Sequence, residues 1–206
     1  MSEYVQYGCG LCAPPTWRNF DASPTLWLQR LPIVGPFVPG PRFPENAEYA
    51  DIVRGLPVPD GSCAAVYCSH VLEHLTLADF RIALCNTFRL LRPGGVFRLV
   101  TPDLEYLVRN YVGSADAGAA VRLLEDTALG RVKRSRSPAG VLRELFGHSF
   151  HLWLWDFRGT TLELASAGFV DIRRATVHDA ADPRFIDVEQ PDRWENCLGV
   201  ECRRPS

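Results

Sequence analysis

Two glycines and two acids near the N-terminus are spaced for holding a ligand. Gly8 and Gly10 close a short strand pattern, Asp21 ends the next one, and Asp51 opens a third. Glycines at a strand end permit a tight turn and a close approach of backbone to ligand. A carboxylate at the end of the neighbouring strand can accept two hydrogen bonds from vicinal hydroxyls, which is how nucleotide-binding folds hold a ribose. Further on, His70-Val-Leu-Glu73-His74 satisfies H-x-x-E-H, a zinc-protease pattern. That chemistry needs both histidines one turn apart on a helix, with another acid completing the set. Here His70 directly follows a buried-strand pattern, so the pair should straddle a strand-to-helix turn, and no metal is expected. His148 and His151 stand beside Trp153, Trp155 and Asp156, a cluster that reads equally as packing or as a substrate pocket. Cys9 and Cys12 form a C-x-x-C without a second pair at zinc-site spacing, so no metal or redox role is expected of them.

The elements that must position these residues alternate between two periods. Strand patterns cover residues 3–7, 17–21, 51–53, 64–68, 96–100, 169–177 and 197–203. Between the first two lie only a handful of residues, with Pro14 and Pro15 among them, too few for a crossover helix. The first crossover should therefore be truncated. Residues 23–31 read as a short helix with Ser23 as N-cap and Pro24 in its first position. Leu77, Phe80, Leu84, Phe88 and Leu91 recur near a 3.6 period over 75–91, with Thr76 as cap and Arg92-Pro93-Gly94-Gly95 as stop. Thr101-Pro102-Asp103 should lead into a helix through about Tyr111, and another helix should cover 160–167, ended by Gly168. The proline-rich segment 32–44 carries Ile33, Val34, Phe37 and Val38, apolar enough to pack over the core or wall a cleft. Residues 113–147, with the basic run Arg131-Val-Lys133-Arg134-Ser-Arg136, read as an insertion; the run reads as a solvated loop before an anion-binding lid.

With 206 residues, 47% hydrophobic and 22% charged, residues 1–206 form a single globular domain. A net charge of −2 argues against nucleic acid as a partner, because phosphate-backbone binding requires a strong positive excess. No run reaches the ~18 apolar residues of a membrane span. The N-terminus lacks a secretory signal, and the seven cysteines read as reduced thiols, so a cytoplasmic location is expected.

The stretch 50–101, and above all Leu56-Pro-x-Pro-Asp-Gly-Ser62 before one strand and Leu91-Arg-Pro-Gly-Gly95 before the next, resembles the second half of a class I S-adenosylmethionine (SAM)-dependent methyltransferase core. Tyr7-Gly-Cys-Gly10 with Trp17-Arg-Asn-Phe-Asp21 is similar to a short subfamily often found with polysaccharide or secondary-metabolite pathways. The resemblance implies an α/β fold, Rossmann-like and doubly wound, with a mainly parallel sheet and an antiparallel C-terminal hairpin. It implies SAM as cofactor, held by Gly8, Gly10, Asp21 at the ribose, Asp51 and Ile52 at the adenine, and Ser69 near the methionine arm. It implies O-, N- or C-methylation of a small-molecule acceptor, with His70, or His148 or His151, as base; a homodimer is compatible with it. The chain departs from the pattern at the third glycine of the loop, where Leu11-Cys12-Ala13 stand. Two other classes therefore stay open, a cyclase or lyase on the same fold and a catalytically silent partner subunit. A nicotinamide dehydrogenase fits less well, since G-x-G-x-x-G is incomplete and no helix follows it.

Overall fold

The computed structural model describes residues 3–130 and 150–206. Five strands run parallel or nearly so from β1 (Glu3–Tyr7) and β2 (Arg18–Asp21) through β3 (Ala47–Tyr49) and β4 (Cys63–Ser69) to β5 (Leu91–Pro102). The antiparallel pair β6 (Val170–Ala175) and β7 (Cys197–Arg203) completes a sheet of order β3-β2-β1-β4-β5-β7-β6. The order reverses between β1 and β4, the switch point where open α/β sheets bind ligands at the carboxyl ends of their strands.

Period-two alternation divides the sheet into two faces. Val66 and Cys68, Phe97 and Leu99, and Leu198, Val200 and Cys202 point into the main core. That core is closed by Phe80 and Leu84 of α2 (Leu77–Leu90) and Leu164 of a later helix, Phe157–Ser166. Thr76 caps α2 by accepting from the Asp79 amide, as its position before an apolar period predicts. Ala65, Tyr67 and Val100 point the other way, onto Trp17, Phe185, Val188 and Trp194.

That second face explains how a parallel pair survives without its crossover helix. Gly8 to Trp17 is a helix-free loop whose carbonyls are held from within the sheet. Buried Gln6 donates through Nε2 to Cys12 O at 2.7 Å, and buried Asn19 through Nδ2 to Trp17 O at 2.7 Å and Pro14 O at 3.1 Å. The β6–β7 connection then covers the face a helix would have covered. Its short turns Pro183–Asp187 and Pro191–Arg193 bring Phe185 and Trp194 against β4, and Trp17 Nε1 donates to Arg184 O at 3.1 Å. Arg98 of β5, fully buried on this face, is met by Glu189, Glu201 and Asp179 at 2.7, 2.6 and 2.9 Å. Burial pulls the charge on Arg98 down, but the three carboxylates outweigh it and raise its pKa.

Two sequence expectations need correction. The third strand is Ala47–Tyr49, not 51–53: Asp51 Oδ1 accepts from the Val53 amide at 2.8 Å and folds that stretch into a turn. Arg92-Pro93-Gly94-Gly95 does not separate helix from strand; it is a bulge inside β5, where Leu91 pairs with Cys63 and Val96 already pairs with Ala65. The helices after β5 are α3 (Leu104–Gly113) and α4 (Ala119–Asp126), and α5 is Phe157–Ser166. Thus the described part of the expected insertion holds α4, while the basic run 131–136 lies outside the described residues. The segment 32–44 leaves Ile33 and Phe37 more than four-fifths exposed. A cavity of about 560 Å³, bordered by Glu3, Trp17, Arg18, Ala64 and Arg184, lies at the opposite end of the strands from the glycine loop.

Candidate active site

The site is built at the carboxyl ends of β1, β2 and β4. Gly8 and Gly10 both have positive φ, +70° and +54°. A Cβ on Gly8 would meet Val71 Cγ2 at 2.0 Å, whereas one on Gly10 would meet nothing within 4 Å. Gly8 thus makes room for the end of β4, and Gly10 faces open space. The Gly10 amide donates to Asp21 Oδ2 at 2.9 Å and the Ser23 amide to Oδ1 at 2.7 Å. Each carboxylate oxygen keeps a further lone pair, so Asp21 is oriented yet still able to accept from a diol. The Ala50 amide donates to Asp21 O at 3.2 Å, which sets Asp51 beside Asp21. Asp51 itself shapes its turn, and Arg54 Nε lies 3.8 Å from its Oδ2. Ile52 is buried in the main core, its carbonyl accepting from Asn86 Nδ2 at 2.7 Å.

Ser69 and His70 close β4. His70 has φ +54°, a left-handed conformation that costs a non-glycine residue about 1–2 kcal/mol, and its amide donates to Val100 O at 2.9 Å. Its Nδ1 lies 3.0 Å from Ser69 Oγ and its Nε2 3.5 Å from Cys197 Sγ. Burial first, then the charges of Arg193 and the neighbouring histidines, bring its pKa down to about 4. Burial pushes the Cys197 thiol up to about 11. Arg193 donates from Nε to Ser69 Oγ at 3.1 Å and from Nη2 to Ser69 O at 3.0 Å. Nothing in the sequence points to this arginine, which arrives from the β6–β7 connection.

The H-x-x-E-H string divides as expected: His70 follows the strand, and Leu72–His74 is a single tight turn. Glu73 is fully buried, with Thr101 Oγ1 at 3.4 Å from Oε2 and no partner on Oε1. Burial raises its carboxyl to about 7 against the opposing pull of Thr101 and Arg193. Leu152 and Trp153 both donate their amides to Glu73 O, at 2.7 and 3.1 Å, and so draw His151 to the turn. His151 Nε2 lies 3.9 Å from Glu73 Oε1, and its ring meets that of His74 edge-on, centroids 4.8 Å apart. Burial, then His74, lowers the His151 pKa. His148 lies outside the described residues. Trp155 stacks on Phe80 at 4.1 Å and Asp156 caps α5, so these two members of the aromatic cluster serve packing and helix capping.

The fold has counterparts among known proteins. The model of a methyltransferase domain family matches residues 42–99. No curated relative matches the chain in sequence. A SAM-dependent methyltransferase from Thermotoga maritima superposes with a TM-score of 0.55 at 12% identity, covering 99% of this chain and 83% of that one. A SAM-dependent methyltransferase from Archaeoglobus fulgidus gives 0.50 at 13%, covering 98% and 86%. Human N-acetylserotonin methyltransferase in complex with SAM gives 0.50 at 15%, covering 98% of this chain but only 47% of its own. At such identities these likenesses establish the fold, and the family match adds the domain type. The chain therefore has the fold of class I SAM-dependent methyltransferases, and its residues 42–99 match a methyltransferase domain. It is an enzyme of the methyl-transferring kind, with S-adenosyl-L-methionine as its cofactor.

Proposed function

We propose that this enzyme moves the SAM methyl group to an oxygen, nitrogen or carbon of a small-molecule acceptor seated at the ends of β4 and β5. Asp21 would hold the ribose hydroxyls, Gly8 and Gly10 would let the donor approach the β1 loop, and Asp51 and Ile52 would border the adenine. Ser69, braced by Arg193, would face the methionine arm. The sulfonium is already an excellent leaving group, so the protein's task is to align donor with acceptor and exclude water. For a hydroxyl acceptor a proton must also leave. Of the described histidines expected as base, His151 fits this better than His70, because both ring nitrogens of His70 are engaged by Ser69 and Cys197.

The observation that carries this reading is Asp21, fixed by the Gly10 and Ser23 amides at the sheet's switch point. Calorimetric titration with SAM and with S-adenosylhomocysteine, on wild type and Asp21→Ala, tests it. Micromolar binding weakened at least about tenfold by the substitution supports a ribose contact, since one charge-assisted hydrogen bond contributes about 1.5–3 kcal/mol. No binding by folded wild type at millimolar ligand would overturn it.

A further inference from the structure

We infer that Glu73, His74 and His151 form a binding site for a divalent ion of the zinc class. The ligand atoms these three residues offer all lie within 4.8 Å of one another. The set differs from the one suggested by H-x-x-E-H, since His70 stands apart and His151, distant in sequence, takes its place. The expectation of no metal weighed H-x-x-E-H and the Cys9/Cys12 pair, and did not join His151 to either.

Several independent features point to a cation. Glu73 is fully buried, yet its Oε1 has no hydrogen-bond partner. Buried polar atoms without partners are rare and call for an unaccounted ligand. His74 Nδ1 lies 3.0 Å from Phe150 O. A carbonyl only accepts, so Nδ1 carries the proton and Nε2 is the basic nitrogen of the neutral ring. Metal-bound histidines have their rings fixed in this way, through the nitrogen that does not coordinate. The paired amides of Leu152 and Trp153 on Glu73 O hold the two chain segments together, so the site does not depend on a loop closing.

Two imidazoles and one carboxylate suit zinc, which accepts such a set with one position left open. His151 Nε2 and Glu73 Oε1 stand 3.9 Å apart. Two bonds of about 2.1 Å at a tetrahedral angle span about 3.4 Å, so the pair must close by about half an ångström. Arg193, close enough to act on Glu73, opposes a cation electrostatically, and its hydrogen bonds to Ser69 direct the guanidinium elsewhere. An ion here would lie close to His70, on which both His74 and His151 act. It would also compete with a proton for His151, so a zinc-loaded protein could not use that residue as base.

The test is made on the full chain without donor or acceptor, so its result is independent of methyl transfer. Chelator-stripped protein is dialysed against zinc, bound metal is counted by mass spectrometry, and cobalt(II) is titrated by visible absorption. The expected result is one ion per chain at micromolar free zinc, and a cobalt spectrum without thiolate charge-transfer bands. Glu73→Gln and His151→Ala should each weaken zinc at least tenfold, while His178→Ala, which lies elsewhere in the β6–β7 connection, should not. Circular dichroism and thermal melting confirm that each variant is folded. Absence of saturable binding by wild type would overturn the inference. So would thiolate bands, which would place the ion on cysteines, or binding that survives both substitutions.

Discussion

Arg193 and Ser69 are joined by two hydrogen bonds, Nε to Oγ and Nη2 to the carbonyl, which fasten the β6–β7 connection to the end of β4. The connection thereby does two things at once. It covers the sheet face left bare by the missing first helix and, on the proposed reading, it would bring a guanidinium to the methionine carboxylate of the donor.

Replacing Arg193 by Met keeps the length and much of the apolar stem while removing the fork. On the proposed reading, the KM for SAM rises about tenfold or more, with a smaller change in melting temperature. The charged hydrogen bonds are worth about 1.5–3 kcal/mol when formed. Steady-state kinetics beside thermal melting checks this; a fall in stability with unchanged SAM affinity would make Arg193 a brace alone.

The loop that replaces the first helix rests on Gln6 and Asn19. Asn19→Ala removes the side-chain donor to the carbonyls of Pro14 and Trp17 and one of the two acceptors of buried Gln6 Nε2. The expected loss is about 2–3 kcal/mol, since each buried polar group left unsatisfied costs about 1–3 kcal/mol. Chemical denaturation with an unchanged m-value would show it as a true loss of native stability.

Much of this was legible in the chain, and the reasons are local. Ser23, Thr76 and the 3.6-period apolar positions of α2 announce their helices because caps and periodicity act within a few residues. Proline and shortness announced the truncated crossover. β3 was misplaced because a three-residue edge strand has too little alternation to register, while Asp51-Ile-Val reads as strand and folds as a turn capped by its own acid. Arg193 and the joining of Glu73 to His151 were invisible for another reason. They depend on tertiary contacts across the sheet, and no spacing rule reaches that far.

The buried Arg98 cluster gives the protein an acid limit. Burial works against the charge on Asp179, but Arg173, the Thr176 amide and Arg98 outweigh it and hold its carboxyl well below the usual range. Its unfolded value is about 3.9. The folded state is therefore favoured above that pH, and the advantage is lost as pH falls through the lower folded value. Glu189 acts in the opposite sense, because burial raises its carboxyl despite the adjacent guanidinium. The melting temperature of wild type should drop below about pH 4, whereas Asp179→Asn should start several degrees lower and change less over that range. Parallel curves for the two proteins would remove Asp179 as the cause.

Gly8 and Gly10 should respond differently to the same change. Gly8→Ala adds a methyl 2.0 Å from Val71 Cγ2 at a φ of +70°, so overpacking joins backbone strain and about 2–4 kcal/mol is lost. Val71→Ala removes the offending carbon, and the double variant should recover all but the strain, a positive coupling in a double-mutant cycle. Gly10→Ala meets no atom and should cost only about 1 kcal/mol. Its methyl enters the open space before Asp21, so it should weaken SAM more than it weakens the fold. Calorimetry on both variants separates the two glycines: on the proposed reading, Gly8 serves the protein's own packing and Gly10 the donor. Equal effects of Gly10→Ala on stability and on SAM would mean that the donor does not come so close to the loop.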